Sequence, residues 1–268
     1  MIYDTHAHLS GLKERGLDPH RIAGDLFASG FAGLIDISLT PGDLAERIEE
    51  FSIYPHIYFA SGLWPWGASI ANREKLAAEL EQTILTIKKG IHASRLCALG
   101  EFGLDRNWNG EGKEGSDDLE GEAALMEMQM EAAQKLNLPV IIHSRDAAQE
   151  TAAVLKRYPL VRGVVHCFSY GSDEAKTFLD MGYYISFAGN LTYKNAHTIQ
   201  DACKLIPNDR LLLETDCPYL APVPHRGKPS HPGMVEEVYK KAAELRWTSV
   251  EEMAGQIKEN IAALFGIK

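Results

Sequence analysis

Short apolar runs alternate along the chain with longer stretches of helical periodicity. Eight runs read as strands: residues 1–8, 33–39, 57–63, 96–101, 139–143, 163–166, 183–187 and 211–216. Between them, Pro41-Gly42-Asp43 opens a helix, with proline where first turns accept it. Residues 72–89 place Leu76, Leu80, Ile84 and Ile87 on one helical face. Further helices are expected over 122–137, 147–158, 173–181, 195–205, 233–246 and 249–265. Residues 107–121 carry four glycines and five acids, and read as the one loose loop, either functional or a solvated insertion.

Near-continuous Val, Ile and Leu runs indicate strands buried on both faces, hence parallel strands covered by helices. Eight such units predict a closed TIM-type (β/α)8 barrel formed by residues 1–268 as a single domain. The open doubly wound alternative lacks its mark, because no G-x-G-x-x-G follows any strand.

Composition changes this picture little: 45% hydrophobic and 24% charged residues are ordinary for a globular chain. The net charge of -10 argues against a broadly basic surface for non-specific nucleic-acid binding, while leaving room for local phosphate recognition. Cys97, Cys167, Cys203 and Cys217 show no paired spacing and read as free thiols in a reducing compartment. A strand stands where a signal peptide would, and no run approaches membrane-spanning length, so a soluble cytoplasmic protein without a membrane partner is expected.

The candidate chemistry falls at strand ends. In Asp4-Thr5-His6-Ala7-His8 the period of two puts both imidazoles on one face, with Asp4 one pleat deeper. Glu101, His143, His166 and Asp216 end strands four, five, six and eight. Barrel active sites gather at the C-terminal strand ends, so six potential ligands converge at one rim, the metal-binding end. Six exceed what one open catalytic ion needs and suit two divalent ions. His6, His8, Glu101 and Asp216 would hold one ion; Glu101, as a bridge, with His143 and His166 would hold the other. Four imidazoles favour Zn, Mn, Fe or Ni over an all-oxygen site, and Mg remains a candidate.

These residues resemble the TatD-type metal-dependent deoxyribonuclease family, within the wider amidohydrolase-like barrels. The resemblance is carried by Asp4-Thr5-His6-Ala7-His8, by Gly100-Glu101-Phe102-Gly103-Leu104-Asp105, and by the stretch from Leu138 to Ala147 around His143-Ser144-Arg145. It continues through His166-Cys167-Phe168-Ser169, Glu214-Thr215-Asp216-Cys217-Pro218-Tyr219-Leu220, Arg226-Gly227-Lys228 and the closing helix from Asn260. It covers essentially the whole chain in order. It implies a dinuclear barrel with His6, His8, Glu101, His143, His166 and Asp216 as ligands, and phosphodiester hydrolysis with nucleic acid as substrate. Some relatives in that family are described as acting on D-aminoacyl-tRNA esters.

Two stretches depart from the family. Its usual Gly-x-His-Pro-His is here Gly62-Leu63-Trp64-Pro65-Trp66, which removes a phosphate contact or proton donor and offers Trp64 as stacking surface or loop packing. Its Asn-Glu-Pro is here Ser230-His231-Pro232. The expected mechanism is attack on phosphorus by metal-activated water, with Glu101 in the bridge and Asp216 orienting the nucleophile and accepting its proton. Arg145, Arg226 and Lys228 are expected to hold flanking phosphates, with plain ion pairing as the alternative for Arg145. Glu214, two residues before Asp216, is a candidate support behind a ligand. The competing functions are hydrolysis of a carboxylic ester, lactone or amide, and a nucleic-acid-binding barrel without turnover. Related carbonyl hydrolases often bridge with a carboxylated lysine, and Glu101 in that place favours phosphodiesters.

Overall fold

The computed structural model describes residues 1–267. Eight strands pair in parallel and in sequence order: β1 Tyr3–Ala7, β2 Gly33–Ser38, β3 Ile57–Ser61, β4 Leu96–Asp105, β5 Val140–Arg145, β6 Gly163–Val165, β7 Tyr184–Phe187 and β8 Leu211–Leu213. Each strand is followed by helix, as parallel pairing requires. β1 leads to α1 Leu9–Glu14 and α2 Pro19–Ala28, and β2 to α3 Leu44–Glu50. β3 leads to α4 Gly67–Ala71 and α5 Arg73–Lys89, and β4 to α6 Arg106–Asn109 and α7 Leu119–Leu136. Then come α8 Ala148–Leu155, α9 Ser172–Asp180 and α10 His197–Leu205, and after β8 the closing α11 Val235–Arg246 and α12 Val250–Phe265.

The ring closes just beyond β8. Asp216 N donates to His6 O at 3.0 Å, and His8 N donates to Cys217 O at 2.8 Å. Thr5 Oγ1 donates to Leu213 O at 3.1 Å below them. The fold is therefore a TIM-type (β/α)8 barrel. Its seam lies between the first and last strands, where His6, His8 and Asp216 meet. Asp4 is spent on this seam. Its carboxylate accepts from Thr215 N at 2.9 Å, Thr215 Oγ1 at 2.6 Å and His6 N at 3.2 Å. Tyr239 of α11 braces β1 by donating to Tyr3 O at 3.2 Å. Asn260 of α12 braces β8 by donating to Leu211 O at 2.7 Å.

Several boundaries differ from the sequence expectation. Helices α1 and α2 occupy residues that the periodicity left unassigned. α2 starts where Asp18 accepts from His20 N and Arg21 N, with Pro19 in the first turn. β4 runs four residues past Glu101, because Phe102 to Asp105 keep pairing with Ile142 to Arg145. That register brings Gly103 beside His143, where a Cβ would collide with the His143 carbonyl oxygen. α7 starts at Leu119, not 122, because Asp118 caps it by accepting from Gly121 N at 2.8 Å. The loop expected over 107–121 is thus shortened at both ends by α6 and α7. What remains is tied back, with Gly115 N donating to Trp108 O and Ser116 N to Asn109 Oδ1. No helix among the described residues is long and apolar enough to cross a membrane.

Candidate metal centre

His6 lies in β1, and His8 follows it as the residue before α1. The β1 side chains are buried throughout, so a polar group survives there only with a partner. His6 Nε2 lies 2.7 Å from Glu101 Oε2, and His8 Nε2 lies 3.3 Å from the same oxygen. The two imidazole nitrogens are 3.3 Å apart, and Asp216 Oδ1 stands 3.5 Å from His8 Nε2 and 3.9 Å from His6 Nε2.

The second carboxylate oxygen of Glu101 faces the other way. Oε1 lies 3.4 Å from His143 Nδ1 and 3.5 Å from His166 Nε2, and those two nitrogens are 3.2 Å apart. One carboxylate therefore joins two clusters, His6–His8–Asp216 on the β1 and β8 side and His143–His166 on the β5 and β6 side. His6 also stacks on His166 with ring centroids 3.9 Å apart, so His6, Glu101 and His166 present donor atoms within 4.8 Å of one another. All six strand-end residues named from the sequence come together. His8, His166 and Asp216 stand just beyond their strands rather than in them, because the ladder ends at Ala7, Val165 and Leu213.

Partners behind the rings decide which nitrogen is bare. His143 Nε2 meets Asp105 Oδ2 at 2.9 Å, His166 Nδ1 meets Glu214 Oε1 at 3.2 Å, and His8 Nδ1 meets the Ile37 carbonyl at 3.2 Å. A ring N–H that donates outward leaves the inward nitrogen to offer its lone pair to a cation once the imidazole is neutral. Of the four site imidazoles, His6 alone has its outward nitrogen, Nδ1, buried without a partner. Glu101 Oε2 is likewise buried, within reach of two ring nitrogens but aligned for a hydrogen bond with neither. Converging bare imidazole nitrogens and carboxylate oxygens of this kind fit divalent cations, and the donor set suits transition metals.

The electrostatics of the protein alone agree with that fit. Burial alone would raise the Glu101 pKa, yet the His166 and His6 imidazoles hold it well below the usual carboxylate range. Asp216 is lowered in the same way, with burial opposed by His8, His6 and His166. Burial would depress His8, but Asp216 and Glu101 push it up to about 10. His166 is also raised, against burial, by Glu101 and Glu214. His6 moves down, because burial and the stacked His166 both disfavour another positive charge. The carboxylates stay ionised and call for cations, supplied by protons or by metal.

The site opens into a cavity of about 530 Å³. Arg145 and Trp64 line it. Arg226 and Lys228, also expected to contact substrate phosphates, stand outside its lining. Arg226 instead lies over the Tyr193 ring, 4.1 Å from its centroid, in a cation–π contact. Sequence reasoning assigned no role to Asp105 or Trp108, which also line the cavity. Asp105 was visible within the Gly-Glu-Phe-Gly-Leu-Asp stretch, but Trp108 stood in a segment with no periodic signal.

The TatD related DNase family profile matches residues 3–266. The chain belongs to the TatD family of metal-dependent hydrolases. It is 35% identical to an uncharacterized metal-dependent hydrolase, YabD of Bacillus subtilis, over all of both chains. It is 36% identical to an uncharacterized metal-dependent hydrolase of Escherichia coli, YcfH, covering 99% of this chain and 96% of that one. Among solved structures, the TatD homologue YjjV of Escherichia coli superposes with a TM-score of 0.84 at 28% identity, covering 100% and 98% of the two chains.

Proposed function

We infer that this TatD-family hydrolase is a phosphodiesterase that cleaves nucleic acid with two divalent cations. The observation that carries this reading is the split carboxylate of Glu101, with one oxygen toward His6 and His8 and the other toward His143 and His166. His6, His8 and Asp216 with Glu101 would hold one cation, and Glu101 with His143 and His166 the other. Bound there, such ions supply a water acidic enough to ionise near neutral pH and offset charge on phosphoryl oxygens.

The chain's own residues do the rest. Asp216 projects into the cavity with a depressed pKa, so it is ionised and placed to orient a water and take its proton. Asp105, Glu214 and the Ile37 carbonyl hold three imidazoles in one tautomer and one orientation. Arg145, at the end of β5, offers the cavity a fixed positive charge for a phosphate oxygen.

The test is metal-dependent shortening of end-labelled single-stranded DNA in Mn, Mg or Zn, with a chelator control. Glu101→Ala is expected to cut the rate by about three orders of magnitude, the scale of losing ~4 kcal/mol of transition-state stabilisation. Undiminished cleavage in chelator would sink the reading. Turnover confined to carboxylic esters, lactones or D-aminoacyl-tRNA esters in a parallel panel would move the activity to carbonyl chemistry.

A further inference from the structure

Beside the Glu101 cluster stands an aromatic corner that the hydrolytic chemistry does not use. Trp64 and Trp66 follow β3, and Trp108 lies in α6 after β4. Their rings meet at centroid distances of 4.1 Å for Trp64–Trp66, 5.8 Å for Trp66–Trp108 and 6.3 Å for Trp64–Trp108. Trp64 is also 5.6 Å from the His143 ring. All three line the cavity, and they are three of the chain's four tryptophans.

Loop packing explains Trp64, which is 8% exposed, but not its neighbours. Trp66 and Trp108 keep 38% and 37% of their surface in solvent at the cavity mouth. Open aromatic surface beside a reactive site marks a place for a ligand. The corner is also fixed in place. Asn109 Nδ2 donates to Pro65 O at 2.8 Å, which ties the two tryptophan loops together. Asp105 accepts from Trp108 N at 2.8 Å with Oδ1 while holding His143 Nε2 at 2.9 Å with Oδ2. A single carboxylate therefore sets the aromatic wall and a metal-facing imidazole in register.

Charge limits what else is bound. Among the described cavity-lining side chains, Arg145 is the only lysine or arginine, while Glu101, Asp105 and Asp216 are acids. Tracking a long phosphate backbone takes a groove of basic side chains, and the described lining offers no lysine or arginine beyond Arg145. We propose that the Trp64–Trp66–Trp108 corner is a nucleobase subsite, and that the substrate is a single nucleotide unit in phosphodiester linkage, or a strand's terminal one. Its base rests on the tryptophans while its phosphate reaches the Glu101 cluster. This rests on the phosphodiesterase reading for the bond that breaks, but the base preference is measurable without turnover.

The experiment uses the metal-loaded full chain carrying Trp247→Phe, which removes the one tryptophan outside the cavity, 96% exposed on the surface. Binding of deoxyadenosine 5′-monophosphate and of deoxyribose 5-phosphate is followed by quenching of the remaining tryptophan fluorescence and by calorimetry. The nucleotide is expected to bind about tenfold or more tightly than the sugar phosphate. Trp66→Ala with Trp108→Ala erases that preference and leaves sugar-phosphate affinity unchanged, while Trp66→Phe with Trp108→Phe keeps most of it. Equal affinity for the two ligands, or alanine variants that weaken both alike, overturns the subsite. A protein that shows the base preference yet cleaves no phosphodiester keeps the subsite and loses the phosphodiesterase reading. One that cleaves dinucleotides and their abasic analogues at equal kcat/KM does the reverse.

Discussion

On one side of Glu101, His143 and His166 each hand a ring N–H to a buried carboxylate, Asp105 and Glu214. On the other side, His8 meets only the Ile37 carbonyl, and His6 has no partner at Nδ1. The two halves of the centre are thus held by different means. The β5–β6 half is oriented by the side chains of Asp105 and Glu214, which fix the tautomer and make the inward nitrogen a better donor. The β1–β8 half is oriented by backbone. His6 and His8 sit on the hydrogen bonds that close the barrel, with Asp4 and Thr215 beneath them. A barrel can place ligands either through side-chain buttresses or through its own closure, and this one does both within a single site.

The comparison breaks most sharply at the buttresses. Asp105→Asn and Glu214→Gln should each lower metal affinity on the β5–β6 half by roughly 10–100-fold. The affinity set by His6, His8 and Asp216 should move far less. Metal titration followed by calorimetry reads both phases, and equal losses in both would erase the distinction between the halves.

Protons sharpen it next. In the metal-free protein His8 and His166 are raised and hold protons that a cation must displace. Affinity should therefore fall as pH falls, by up to about tenfold per unit for each proton released. For stability the sign is opposite. A histidine raised from 6.5 to about 10 in the fold stabilises the metal-free protein fully below 6.5, and that contribution is lost as pH rises through about 10. Chelated protein should lose Tm between neutrality and pH 10, and metal-loaded protein should not share that loss. A flat profile in chelator would show that the raised imidazoles do not couple to folding.

The smallest effect belongs to the seam. Thr215→Val removes the hydroxyl that donates to Asp4 at 2.6 Å and accepts from Cys217 N at 3.1 Å. The cost should be roughly 1–3 kcal/mol of stability in urea unfolding, as for other buried groups left without a partner. Metal affinity on the β1–β8 half should drop with it. An unchanged midpoint would mean that backbone pairing alone holds the closure.

Most of the barrel was open to inspection in one dimension, because burial on both faces writes near-continuous apolar strands and burial on one face writes helical periodicity. Helices α1 and α2 escaped that reading, although Asp18-Pro19 carried a start signal in the sequence. Glu214 was legible as a candidate partner from its place two residues before Asp216, and it does support His166, although both stand beyond the end of β8 at Leu213. Trp108 was not, because it owes its place to Asp105 and Asn109 rather than to any periodic pattern.

The order of residues by itself determined eight strands, the family, and which imidazoles and carboxylates stand at strand ends. Only the tertiary structure decided that one oxygen of Glu101 faces each cluster, that Asp4 serves the seam, that Arg226 rests on Tyr193 outside the cavity, and that a third tryptophan joins the other two. The physical reason is range. Periodicity and capping act over a few residues, whereas closing a barrel brings together groups some two hundred positions apart, and their meeting depends on register and packing that no local stretch encodes.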